Sequence, residues 1–91
     1  MYRRHFYRDD IAGPTWLYRL FTGSEVAYVG VSSNPKARLA LHRRRKAWWA
    51  SVDRVELKWF PSRADAFAAE KQSIINDRPI HNVARPKEAL A

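Results

Sequence analysis

Trp16-Leu17-Tyr18-Arg19-Leu20-Phe21-Thr22-Gly23-Ser24-Glu25-Val26-Ala27-Tyr28-Val29-Gly30 is the stretch that decides how this chain folds. Two apolar-aromatic runs flank a single Gly-Ser turn signal, the pattern of a β-hairpin with strands near 15–21 and 25–31. A three-residue loop Thr22-Gly23-Ser24 would set Phe21 opposite Glu25 and Tyr18 opposite Tyr28. A two-residue Gly23-Ser24 loop would send the two tyrosines to opposite faces, because one register step flips every side chain. On the first strand Trp16, Tyr18 and Leu20 share a face, and Val26, Tyr28 and Gly30 oppose them. Paired phenols on one face serve either packing or chemistry. Gly30 leaves room for a helix, a ligand or a backbone to come close.

Outward from the hairpin, Asn34-Pro35 is a helix start, with Asn34 as N-cap and Pro35 at the first helical position. The helix is expected over 35–45, with Ala37, Ala40 and Leu41 towards the core and Arg38, His42 and Arg45 stacked on another face. That second face is either solvated or presents a guanidinium and an imidazole to a phosphate. Arg43-Arg44-Arg45-Lys46 and the following Trp48-Trp49 place a charge run beside aromatic rings, which fits a nucleic-acid groove as well as ordinary surface. Residues 53–60 alternate, with Val55, Leu57 and Trp59 on one side, and predict a half-buried third strand. Ser62 caps a second helix that runs to about Asp77, before Pro79. Ala64, Phe67, Ala68, Lys71, Ile74 and Ile75 mark its expected buried stripe. Glu70 points with that stripe. A carboxylate there pairs with Arg19, Arg38 or Lys58, or holds a cation. Asn82, beyond Pro79, is placed to fold back on the sheet and bond backbone or ligand.

Ninety-one residues make one domain, with 17 Lys plus Arg against 9 Asp plus Glu and a net charge of +8. Such an excess favours a polyanionic partner, nucleic acid or an anionic membrane surface. The absence of cysteine excludes disulfides and thiolate metal sites. No apolar run approaches the ~20 residues a spanning helix needs, and no apolar segment follows the N-terminal charges, so a soluble cytoplasmic protein is the default expectation. Residues 1–14 read as a basic-aromatic arm, 15–84 as the domain and 85–91 as a disordered tail.

Leu17-Tyr18, then Tyr28-Val29-Gly30, Ser33-Asn34-Pro35, Arg38, His42, Glu70, Pro79 and Asn82 resemble, in order and spacing, the signature of the GIY-YIG nucleases. Trp16 stands where the family name has its first glycine, Leu17 and Val29 replace isoleucines, and Val31 stands where excision-repair members carry lysine. The resemblance implies a small α/β fold, an antiparallel three-stranded sheet with flanking helices. It implies a metal-dependent endonuclease acting on DNA with Mg²⁺ or Mn²⁺ held by Glu70. Tyr18 would then activate or position the attacking water and Tyr28 would orient water or phosphate. Arg38 would clamp the phosphate, His42 would support Tyr18 or the phosphate, and Asn82 would hold the site together or touch substrate. Arg38, Arg43, Arg44, Arg45, Lys46 and Trp48 would line the DNA path. A binding module that keeps the fold without catalysis is the alternative, and a small basic protein of the ribosomal type is a third class.

Overall fold

The computed structural model describes residues 13–82. The expectations for the arm and the tail lie almost wholly outside those residues. The chain forms β1 (Thr15–Thr22), β2 (Glu25–Ser32), α1 (Pro35–Arg45), a 3-10 turn (Ala47–Ser51), β3 (Arg54–Phe60) and α2 (Arg63–Asp77). The strands make one antiparallel sheet in the order β2-β1-β3, so the hairpin's first strand is central. This is a small α/β domain with a three-stranded antiparallel sheet and two helices.

The hairpin register differs from the expected one in two ways that offset each other. The loop is the two-residue Gly23-Ser24, with Thr22 opposite Glu25 and Phe21 opposite Val26 rather than Glu25. Gly23 takes a φ of 64° at the first loop position, which glycine adopts without steric cost. Alone, this loop would separate the tyrosines. A β-bulge between Leu20 and Phe21 restores them: Ala27 is the extra residue, and beyond it Leu20 opposes Tyr28 and Tyr18 opposes Gly30. Tyr18 and Tyr28 therefore share a face, one pair out of step rather than directly opposite. The same bulge carries Val26 to the other face, where it packs on Leu17, Val29, Val31 and Ala66. The Ala27 carbonyl accepts a hydrogen bond from His81 N at 2.9 Å.

Both helices start where the caps predict. Asn34 Oδ1 accepts from Ala37 N at 3.2 Å with Pro35 next, and Ser62 Oγ accepts from Asp65 N at 3.2 Å. Their buried faces differ from the expected ones. In α1 the buried residue is His42, while Ala37 is exposed and Ala40 and Leu41 are only partly covered. In α2 the inward side is Ala66, Ala69 and Ile74, with Glu70 half-buried beside them. Ala64, Ala68 and Lys71 are exposed, and so are Phe67 and Ile75. The small Ala66 lets the helix lie close on the sheet, and the Phe67 ring is covered instead by the Arg63 guanidinium at 4.9 Å.

On that face Arg19 ties the layers together. It reaches Glu56 on β3 at 3.1 Å and Asp77 at the end of α2 at 2.9 Å. A groove of about 630 Å³ lies here, lined by Leu17, Arg19, Glu56, Lys58, Ser73 and Asp77 among others. β3 is the second departure from expectation. Val55, Leu57 and Trp59 share a face, as the alternation requires, but are 38%, 48% and 51% exposed. In this arrangement α1 packs towards β2, and among the described residues that side of β3 stays about half exposed.

Gly30 is fixed by Tyr18. A Cβ built on Gly30 would overlap the Tyr18 hydroxyl and lie 2.5 Å from its Cζ. Gly30→Ala is expected to cost about 1–3 kcal/mol, read by urea denaturation. In a Tyr18→Ala background the same change should cost markedly less, and an equal cost in both backgrounds would remove the assigned contact.

Candidate active site

The hairpin, α1 and the 3-10 turn converge on the face opposite α2. Tyr18, from the central strand, is 2% exposed, and its hydroxyl lies 2.9 Å from Nε2 of His42 on α1. Tyr28 stacks on Tyr18 at 6.1 Å between centroids and meets the His42 ring edge-on at 4.9 Å. Trp48, from the 3-10 turn, stacks on Tyr28 at 5.4 Å. His81 lies on Trp48 at 4.5 Å with the rings 8° from parallel. Five rings thus form one continuous cluster. His81 and the inward role of Trp48 were not read from the sequence, because rings from four separate segments meet only after the fold is closed. Trp48 is half-buried and its ring is engaged by Tyr28 and His81.

Charge enters the cluster from two sides. Burial pushes the Tyr18 phenol well above its ordinary value of 10.0. Tyr28 and Glu70 push the same way, and the Arg38 guanidinium opposes them. Arg38, exposed on α1, and Glu70, on α2, both influence Tyr18 ionisation through their charge. Burial holds His42 below its ordinary 6.5, with Arg38 and Lys46 adding repulsion. His42 is consequently neutral at neutral pH. In the tautomer with the proton on Nδ1 the Tyr18 hydroxyl donates to Nε2, and in the other Nε2–H donates to the Tyr18 oxygen.

Glu70 is half-buried on α2, and desolvation raises its carboxyl above the usual 4.5 against the pull of Arg63. Arg19 is engaged by Glu56 and Asp77. Among the described residues Glu70 makes no ion pair with Arg38 or Lys58 either. The Arg63 guanidinium is a cation already acting on it, and a carboxylate so placed would also accept a metal ion. No group of three or more His, Asp or Glu side chains is gathered among the described residues, so the chain would supply one carboxylate. That donor set fits Mg²⁺, which keeps several waters and takes phosphate oxygens as further ligands.

Asn82 is buried and bonds backbone. Its Oδ1 accepts from Val29 N at 2.7 Å and its Nδ2 donates to Val29 O at 2.9 Å. It thereby caps the outer edge of β2 and holds the strand that carries Tyr28. Arg43, Arg44, Arg45 and Lys46 are exposed at the end of α1, beside the cluster. The 630 Å³ groove contains none of these residues and belongs to the opposite face. No described helix is long and apolar enough to cross a membrane.

The depressed His42 value has a consequence for stability. The unfolded chain takes up the proton first, at about 6.5, so folded-state stability is full above that pH and declines as pH falls towards the folded value. His81, lowered by burial, acts in the same sense. His42→Asn should therefore flatten, without abolishing, the fall in Tm as pH drops below about 6.5. An unchanged pH slope in thermal melts would show that His42 is not held neutral. The chain matches no family model, no curated protein and no solved structure.

Proposed function

We propose that this protein is a metal-dependent endonuclease of the GIY-YIG type that hydrolyses phosphodiester bonds in DNA. One arrangement carries the reading. Tyr18 and His42 share a hydrogen bond, Tyr28 packs on both, and Arg38 and Glu70 both influence Tyr18 ionisation. Hydrolysis of a phosphodiester needs a proton acceptor, a cation on the phosphate and a carboxylate for a metal, and these are the groups gathered here.

Glu70 would hold the ion. Bound Mg²⁺ or Mn²⁺ would offset phosphate charge and ease deprotonation of water. The chain's own part follows from its protonation states. With its ionisation suppressed, Tyr18 acts as a hydroxyl rather than a standing phenolate. Its Oη takes a proton from the attacking water, whose oxygen bonds to phosphorus as the P–O ester bond breaks, while its own proton passes to Nε2 of neutral His42, 2.9 Å away, and the departing oxygen takes a proton from solvent. His42 is the terminal acceptor and Tyr18 the conduit. Arg38 clamps the scissile phosphate, where a guanidinium can make paired hydrogen bonds to its oxygens. Tyr28 orients water or phosphate, and Asn82 positions Tyr28 through the Val29 backbone. The Arg43–Lys46 run binds neighbouring phosphates without regard to sequence.

Glu70→Ala should abolish Mg²⁺-dependent nicking of supercoiled plasmid while the protein stays folded and still shifts DNA. A folded variant that cuts as well as wild type would remove Glu70 as the metal ligand. A wild-type protein that binds DNA and never nicks it would leave only a binding module.

Replacing Arg43, Arg44 and Arg45 together by Ala should reduce the slope of log affinity against log salt by about 3. An unchanged slope in a fluorescence-anisotropy titration would move the DNA path off this end of α1.

A further inference from the structure

β3 carries an apolar stripe that the proposed chemistry does not use. Val55, Leu57 and Trp59 lie on the same sheet face as Tyr18, and each is exposed. Leu57 is the direct cross-strand neighbour of Tyr18, and Trp59 is that of Trp16. Among the described residues β3 is an edge strand, so the stripe runs along a margin of the described sheet. Arg54 and Lys58 alternate with it along the same strand and therefore belong to the opposite, α2-facing side of the sheet.

We infer that this margin is a stacking platform for unpaired bases, with Trp59 as its centre, and that the protein therefore prefers DNA with a single-stranded segment beside the cleavage site. The inference rests on the nuclease reading only in taking DNA as the partner. Three observations select bases over other occupants. The chain carries +8, so a polyanion is drawn to it whereas a second copy is repelled. Three part-exposed side chains fall far short of the ~20–30 residues per side of a stable protein interface. A partner protein seated on Leu57 would also crowd Tyr18, its neighbour across the ladder. An exposed ring on a strongly basic domain is how single strands are held, with the ring taking a base while the positive field holds the backbone. Duplex bases are stacked on each other and have no free face to offer, so the platform discriminates against them.

The test uses the full chain in EDTA, so that binding is read without cleavage. The probes are a fluorescein-labelled oligothymidine single strand and a duplex of equal length. Trp59→Ala and Trp59→Leu should each weaken single-strand binding about 10-fold and leave duplex binding within about twofold. Trp59→Phe should keep most of the single-strand affinity. Trp59→Leu preserves strand propensity and apolar surface, so its effect reports the lost π-face rather than a lost fold. Equal losses on both probes, or none on either, would overturn the platform. A wild-type dimer that Trp59→Leu converts to monomer in sedimentation would overturn it in favour of a second copy. If wild-type protein fails to nick plasmid with Mg²⁺ but the single-strand selectivity and its loss hold, the hydrolase reading falls and the platform stands. If nicking holds and both Trp59 variants bind as wild type, the platform falls alone.

Discussion

The Tyr18 phenol lies across Gly30, and much of the structure follows from that contact. A side chain at position 30 would force the ring away from α1. With glycine there the ring can lie flat over β2 and bring its hydroxyl to His42. His42 is the buried residue of α1, so the helix is oriented by a polar contact rather than by its alanines. Arg38, one turn earlier, is thereby set to influence Tyr18 ionisation through its charge. Burying this phenol and imidazole would be costly if either were left without a partner, and each satisfies the other.

The two faces of the sheet divide the work. The α2 face holds the apolar core of Leu17, Val29, Val31 and Ala66 and an ion-pair network around Arg19. The other face is aromatic and partly charged, closed over β1 and β2 and open over β3. The segment after α2 joins the two at the β2 edge, where His81 and Asn82 bond the Ala27 and Val29 backbones. One short stretch thus supplies both an edge cap and a ring of the cluster.

Local chemistry made much of this legible. Asn34-Pro35 and Ser62 announce helix starts because capping is settled by neighbouring residues, and both caps form. Alternation over 53–60 gave a strand and its two faces correctly, since the period of two is local. Which face is covered was not legible, because that depends on where α1 lands, and Val55, Leu57 and Trp59 are open for that reason. The α2 stripe was rotated for a similar cause: Phe67 and Ile75 are large and apolar, but the sheet accepts the small Ala66 more closely. Glu70 was still placed inward, since it adjoins Ala66, Ala69 and Ile74 on the helix surface. The bulge left no signal in an uninterrupted apolar run. His81 and Trp48 meet only through the tertiary fold.

The Ala27 bulge and the two-residue loop behave like a frameshift and its suppressor. Each alone turns the outer half of β2 inside out, placing Tyr28 against α2 and Val29 against α1. Together they return the strand to frame, as a three-residue loop without a bulge would. One residue can therefore migrate between turn and strand over the history of such a chain without disturbing the face that carries the tyrosines. A single insertion or deletion anywhere between Phe21 and Tyr28 cannot. The spacing between the two tyrosines is thus constrained by the fold as a parity rather than as a length, and alignments that place gaps freely in this hairpin would misassign which strand residues are equivalent.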